Sequence, residues 1–206
     1  MYLIKNPKLF GISATLRSVA WAGLFLSVIY ASFEMFYAGN SSIHAENHFI
    51  ENAQVVVCAI AMLVFLGAAF FNGEKARAIP LFFAVLALAF IFREVDFERL
   101  DVPKICKTLC AGKGRNILVA SMFVGVFAMA FFKFKFYLGA VFKFIKTSAF
   151  YWGVAAAAVL LLSDIIERAH PFAHYEFWEE TLELAGYALF LIAATYMLPH
   201  PVEGRD

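Results

Sequence analysis

Long apolar stretches alternate with short polar segments along the whole chain. Each stretch approaches the length of about 20 residues that an α-helix needs to cross the hydrocarbon core of a bilayer. The stretches cover residues 18–37, 53–72, 78–93, 117–133, 147–164 and 182–198. Their apolar residues do not alternate with polar ones, and lipid requires a backbone that satisfies its own hydrogen bonds, so strands are not expected. The pattern predicts an all-α, multi-pass transmembrane bundle of about six spanning helices, in which residues 1–206 form a single integral membrane domain.

The first and third stretches carry specific expectations. No small-residue cleavage site interrupts the first stretch, so we expect it to stay in the protein as a spanning helix and not to act as a signal peptide. The third stretch is short before it meets Arg93 and Glu94. Its charged end is expected to continue as helix along the membrane interface.

The composition supports a membrane protein and excludes a nucleic-acid partner. Apolar residues make up 63% of the chain, against about 45–50% in soluble domains, so lipid is the expected solvent. The 17 Lys and Arg residues are matched by 16 acidic residues, and none of them form a basic arm. The electrostatic footprint of a nucleic-acid-binding protein is therefore missing.

Basic residues predict the orientation of the bundle. Ten of the 17 Lys and Arg residues fall on the side that holds both chain ends, which places the N- and C-termini in the cytoplasm by the positive-inside rule. Four of them, Lys133, Lys135, Lys143 and Lys146, lie among aromatic residues and are expected to anchor the chain at the lipid head groups. The predicted location is a cell membrane, and the short loops favour a bacterial inner membrane.

Acidic residues and histidines gather on the opposite, predicted periplasmic, side. Thirteen of the 16 acidic residues and four of the five histidines fall there. Acidic residues follow no strong sorting rule in membrane topology. We therefore expect a functional site at this face.

The segment before the second stretch offers a first set of metal ligands. His44, His48 and Glu51 are spaced so that they form one stripe on a helix. Imidazole and carboxylate groups on one stripe can bind zinc or iron. The alternative is an interfacial helix whose polar side chains are solvated.

The end of the third stretch and the region from Asp164 to Glu183 offer further candidates. Arg93 follows hydrocarbon directly, and one interpretation is that Arg93 or Arg99 neutralises acidic side chains from neighbouring helices. Glu167 and His170 form a Glu-x-x-His pair, which His174 extends. The proline at position 171 argues against one unbroken helix through both histidines. Glutamates at the start of the last helix also suit the positive end of its dipole, which is an ordinary stabilising reason for them.

Two families of membrane enzymes bind metals with similar residues. The alkaline ceramidase and adiponectin-receptor-like hydrolases hold zinc with three histidines, and His170 and His174 resemble their His-x-x-x-His pair, with one of the two earlier histidines as the third. Asn40 stands where that family has Ser, four residues before His44, and six spans are expected here instead of seven. Membrane di-iron carboxylate enzymes use paired Glu-x-x-His motifs, of which Glu167 and His170 supply one. The sequence is assigned to neither family.

The cysteines leave two alternatives open. Cys58 lies inside the second stretch and is expected to be a small buried apolar residue. Cys106 and Cys110 lie four residues apart in the loop after the third stretch. They form either a disulfide, if that side is periplasmic, or two free thiols on a helical turn.

The first functional hypothesis is a metal-dependent enzyme that acts on a lipid or another amphiphilic substrate, by hydrolysis or head-group modification. Zinc or iron would activate a water molecule, and Glu94 or Glu183 would accept its proton. The residues expected to hold the metal are His44, His48, Glu51, Glu167, His170, His174 and Glu180.

Two other classes of function fit the same face. A cation or proton carrier needs a polar path to the cytoplasmic side, yet the apolar stretches below the acidic layer hold almost no ionisable residue. A non-enzymatic sensor or assembly subunit would dock a periplasmic partner protein, or respond to pH through its histidines. Membrane lipids surround the protein under every hypothesis.

Overall fold

The computed structural model describes residues 7–40, 49–71, 77–95, 97–171 and 173–198. Within these residues the chain forms eight α-helices and no strand. The helices are α1 (Pro7–Phe36), α2 (Phe49–Phe71), α3 (Ala78–Glu94), α4 (Lys104–Cys110), α5 (Gly112–Phe132), α6 (Phe134–Phe144), α7 (Ser148–Ala169) and α8 (Tyr175–Met197). The all-α prediction is confirmed for this part of the chain.

Four helices are long and apolar enough to cross a membrane. These candidate spans are Gly11–Phe36, Phe49–Phe71, Gly112–Phe132 and Ser148–Ala169. Large apolar side chains on them are exposed, including Phe25 and Phe70. A surface of this kind is unfavourable in water and suits contact with lipid. These are the properties of a helical membrane protein.

The other two predicted spans, now α3 and α8, form helices of a different kind. α3 has only 17 residues, and the first half of α8 carries four glutamates. Twelve of the 23 residues of α8 are nevertheless buried, because α8 packs against α1, α2 and α7. Its polar side chains can therefore face other helices and avoid lipid. The count of six spans remains a prediction.

Small residues allow α7 and α8 to approach closely. A Cβ atom on Gly186 of α8 would lie 2.6 Å from Cγ of Leu160 and 3.5 Å from the carbonyl oxygen of Ala156, both on α7. Because Gly186 has no side chain, the two helices can pack at this short distance. Close packing favours helix association in lipid, where van der Waals attraction takes the place of a hydrophobic driving force. The close approach fixes the position of α8 within the bundle.

Polar contacts join the start of α1 to the end of α8. The Ser13 hydroxyl donates to the carbonyl oxygen of Thr195 at 2.8 Å and accepts from Arg17 at 2.6 Å. The guanidinium of Arg17 also lies 4.5 Å from the centre of the Tyr196 ring, a favourable cation–π distance. α1 and α8 are therefore antiparallel. The side of the membrane that this end faces remains a prediction.

The end of α3 differs from the prediction. The helix does not continue past Arg93 and Glu94, because Val95 takes an extended conformation with φ −93° and ψ 114°. Turns follow at residues 97–99, and the next helix begins after Pro103. The ring of this proline disfavours helical geometry in the residue before it. As a result the charged pair closes α3 at the end of the bundle.

A short helix between α5 and α7 fits the predicted interface anchor. Tyr137 is the buried residue of α6, and its hydroxyl accepts a hydrogen bond from the backbone N–H of Ala78 at 3.2 Å. This bond ties α6 to the start of α3. Phe134 and Phe142 remain exposed beside the neighbouring lysines, and contact of this face with head groups remains a prediction.

Candidate functional site

Six polar side chains from three helices meet inside one end of the bundle. This end, named the polar end, is where α2 and α8 begin and where α3 and α7 end. The six residues are named the buried polar cluster. They are Gln54 from α2, Arg93 and Glu94 from α3, and Glu180, Glu183 and Tyr187 from α8.

An ion pair between α3 and α8 forms the centre of the buried polar cluster. Arg93 donates a hydrogen bond from Nη2 to Oε1 of Glu183, and its Nε lies 3.7 Å from Oε1 of Glu94. The side chains of Glu183 and Glu94 are only 2% and 6% exposed, whereas that of Arg93 is 50% exposed. Burying a charge is costly without a partner, and Arg93 serves as the partner of both carboxylates. The predicted pairing of Arg93 with an acid from a neighbouring helix is thus confirmed for Glu183.

Glu94 has a second partner on α8. The hydroxyl of Tyr187 donates to Oε1 of Glu94 at 2.6 Å. The Tyr187 ring is fully buried and lies 5.1 Å from the ring of Phe90, measured between centroids. Because the ring is fixed by packing, the hydroxyl holds the Glu94 carboxylate in one orientation.

The third carboxylate of the cluster is bound by an amide from α2. Nε2 of Gln54 donates to Oε2 of Glu180 at 2.7 Å and to the Glu180 carbonyl oxygen at 3.1 Å. Gln54 is fully buried, and its Oε1 accepts no hydrogen bond from the described residues. An unpaired buried amide oxygen costs about 1–3 kcal/mol. It is therefore an unsatisfied acceptor inside the cluster.

The charges around the cluster do not balance. Three of its carboxylates face a single guanidinium, and Glu51 lies within electrostatic range of Glu94 and Glu180. Glu167 of α7 lies within range of Glu183. In a poorly hydrated interior, carboxyl groups in excess of the cations are neutralised by a proton or by a bound cation. Neutralisation by a proton suits acid–base chemistry, and neutralisation by a bound cation suits cation binding.

The structure brings some of the predicted metal ligands together and separates others. Glu180 belongs to the buried polar cluster, and the half-buried Glu51 lies near it. Glu167, His170 and His174 are exposed. His44 and His48 lie outside the described residues. Within the described part of the chain no three His, Cys, Asp or Glu side chains are placed to share a metal ion, so the complete ligand set remains a prediction.

The two later histidines occupy the turn between α7 and α8. His170 closes α7 with φ 45°, and His174 precedes α8 with φ 58°. The predicted break between them at Pro171 is confirmed. The His170 ring stacks on Tyr175 at 4.1 Å, and the His174 ring meets Phe36 edge-on at 6.1 Å. Aromatic packing is thus an alternative to metal binding for both rings.

The cysteines occur as free thiols. Cys58 is fully buried in α2, as expected. Cys106 and Cys110 lie on the short helix α4, half-buried and unbonded to each other. Of the two alternatives for Cys106 and Cys110, the structure therefore shows free thiols on a helical turn.

A cavity of about 270 Å³ adjoins the buried polar cluster at Arg93. It is named the arginine pocket, because two arginines from different helices line it. Its lining residues are Arg93, Val95, Phe97, Glu98, Cys110, Ala111, Gly112 and Arg115. Arg93 is shared by the arginine pocket and the buried polar cluster.

Two cluster residues, Gln54 and Tyr187, were missed by the sequence analysis, which considered charged and histidine side chains. The signal for Gln54 was its position as an amide within the apolar helix α2. Tyr187 gave no comparable signal, because tyrosine is ordinary in a membrane helix.

No protein-family model, curated protein or solved structure matches the chain.

Proposed function

We propose that this protein is a membrane enzyme that acts on the polar head group of an amphiphilic substrate at the polar end of the bundle. The substrate enters from the bilayer, and Glu94 and Glu183 transfer protons during the reaction. The proposal places the polar end on the periplasmic side of a bacterial inner membrane, on the basis of the distribution of basic residues.

One observation carries the proposal: Glu94 and Glu183 are nearly completely buried, yet they share a partner that is half exposed. Replacing such a network by apolar residues is often neutral or stabilising, so stability alone does not account for it. Ionisable groups inside a membrane bundle commonly mark substrate or proton pathways. The exposed half of Arg93 is the part of this network that a head group can contact directly.

The cluster has the parts that acid–base catalysis requires. A carboxylate held by Tyr187 can accept a proton from water or from a substrate hydroxyl, and a second carboxyl group, protonated at the start, can donate its own proton to a leaving group. Arg93 lies between Glu94 and Glu183 and can stabilise negative charge that develops on the substrate. Reactions of this class include hydrolysis and head-group modification.

A metal ion is compatible with the same site. Glu180 in the cluster and the nearby Glu51 would supply carboxylate ligands, and His44 and His48 precede α2 by a few residues. A metal bound there would activate a water molecule beside Glu94. This part of the proposal depends on the metal content of the purified protein.

The carrier alternative is less well supported. Between Tyr187 and Thr195, α8 has seven consecutive apolar residues, which span about 10 Å at 1.5 Å per residue. The core around them consists of Ala, Val, Leu, Ile and Phe side chains. A proton or cation would cross this layer without a polar partner, at high cost.

Lipid profiling of whole cells tests the proposal. Cells that produce the wild-type protein should gain or lose one lipid class relative to cells that produce the Glu94→Gln/Glu183→Gln variant at equal membrane abundance. Identical lipid profiles would contradict the proposed enzymatic function. Stoichiometric co-purification of a soluble protein with both forms would then support the docking alternative, and proton flux into liposomes would support the carrier.

A further inference from the structure

The arginine pocket contains donors for an anion on two of its walls. Arg115 of α5 donates from Nη1 to the carbonyl oxygen of Phe92 at 2.8 Å, which fixes its guanidinium at the end of α3. Arg93 also lines the pocket, and half of its side chain remains exposed after it has bound Glu183. Each guanidinium has five N–H groups in a fixed plane, so both retain donors for a ligand.

The backbone N–H groups at the start of α5 are further hydrogen-bond donors at the pocket wall. The first N–H groups of an α-helix have no intrahelical acceptors, and α5 begins at Gly112 without a side-chain cap or an acidic residue in its first turn to compensate. The turn before it is closely packed, because a Cβ atom on Gly114 would collide with the carbonyl oxygen of Thr108. The glycine therefore lets α4 pack against the start of α5 and form the wall of the pocket.

The size of the pocket limits its ligand. A cavity of about 270 Å³ lies just below the ~300–1,000 Å³ typical of small-molecule pockets, so it can hold a head group but not acyl chains. The apolar side chains of Ile105 and Leu109 are 67% and 49% exposed on α4, the helix that ends at the pocket residue Cys110. Acyl chains can lie along this surface while the head group occupies the pocket.

We propose that the arginine pocket binds a phosphate group, as found in a phospholipid head group. Arginine pairs bind phosphate with parallel, charge-assisted hydrogen bonds. The inference rests on the proposed function and names its substrate class: Arg93 lines the pocket and also binds Glu183, so a phosphate at the pocket lies beside the ion pair of the buried polar cluster. Glu98 also lines the pocket, and its negative charge opposes the phosphate.

Ligand-dependent thermal stabilisation in a neutral detergent tests the site. The probes are dihexanoyl phosphatidylglycerol, inorganic phosphate and a short-chain diacylglycerol without phosphate. The short-chain phospholipid should stabilise the wild-type protein, whereas the diacylglycerol should not. Stabilisation by inorganic phosphate at equal concentrations would assign the same site to a soluble phosphate ligand. Stabilisation by the diacylglycerol alone would overturn the proposal.

Three variants relate the binding to the pocket. Arg115→Gln should weaken phospholipid binding by about 10- to 100-fold, the equivalent of a lost charge-assisted hydrogen bond. Lys113→Gln removes an exposed cation from the same helix outside the pocket lining and should change binding by less than about threefold. Glu98→Gln removes the opposing charge and should tighten binding, a result that lost folding cannot produce.

The outcomes separate this inference from the proposed function. Unchanged binding in both Arg115→Gln and Glu98→Gln would overturn the phosphate site while leaving proton transfer by Glu94 and Glu183 untouched. Conversely, Glu94→Gln should still bind the phospholipid, so a failure of the enzyme would appear in the lipid profile alone.

Discussion

Tyr187 of α8 holds Glu94 of α3 through a 2.6 Å hydrogen bond between residues 93 positions apart in the chain. The variant Tyr187→Phe keeps the buried ring and removes the donor, so the Glu94 carboxylate loses one of its two partners. We expect a loss of about 1–3 kcal/mol in unfolding free energy. Tyr151→Phe is the matched control, because Tyr151 is 64% exposed on α7. Thermal unfolding in one detergent compares them, and equal midpoints would contradict the role of the hydroxyl.

The ion pair between Arg93 and Glu183 should be strongly coupled. In a double-mutant cycle with Arg93→Gln and Glu183→Gln, we expect a coupling energy of at least about 1 kcal/mol, because Glu183 is almost fully buried. The exposed pair of Arg168 and Asp164, which is 3.0 Å apart on α7, serves as the reference and should couple by less than about 0.5 kcal/mol. Denaturant unfolding measures both cycles. Equal coupling energies would show that burial does not strengthen the ion pair of Arg93 and Glu183.

The sequence predicted the fold class and the polar end for clear physical reasons. Runs of apolar residues near the length of a bilayer determine helices in lipid, and the uneven distribution of acidic residues marked one end. The pairing of Arg93 was also foreseeable, since a cation next to hydrocarbon needs a partner. The identity of its partner, Glu183, could not be foreseen, because it depends on how α3 and α8 lie against each other.

Other features were beyond the sequence for local reasons. α3 was expected to continue past Glu94, but the extended Val95 ends it. The role of Gln54 depends on the packing of α2 against α8, which brings its amide to Glu180. The arginine pocket combines residues from α3 with residues from the α4–α5 turn, and periodicity does not show that these segments meet.

The contact between α7 and α8 predicts opposite effects for two glycines. Gly186→Ala should destabilise the protein by about 1–3 kcal/mol through overpacking, because the new Cβ would lie 2.6 Å from Leu160. Gly153→Ala on α7 meets nothing within 4 Å and should stabilise the protein by up to about 1 kcal/mol through helix propensity. Thermal unfolding measures both, and stabilisation by Gly186→Ala would contradict the close packing.

The predicted metal site can be tested without disturbing the turn between α7 and α8. Glycine accepts the positive φ angles of His170 and His174, so the His170→Gly/His174→Gly variant should keep the backbone of the turn and lose only the ring contacts with Tyr175 and Phe36. If the histidines are ligands, elemental analysis of the purified wild type should find about one zinc or one to two iron per chain. The variant should lose this metal. Equal metal content in the two proteins would remove both histidines from the ligand set.

The buried carboxylates are the centre of the functional account, and turnover by the purified protein tests them most directly. Wild type, Glu94→Gln, Glu183→Gln and the exposed control Asp164→Asn are reconstituted with lipids extracted from bacterial membranes, and the lipids are followed over time by mass spectrometry. We predict that wild type and Asp164→Asn convert one phosphate-bearing lipid class. The two glutamine variants, equally folded, should be at least about 100-fold slower, as expected when a proton-transfer group is lost. Equal rates in all four proteins, or no conversion by the wild type, would contradict the account.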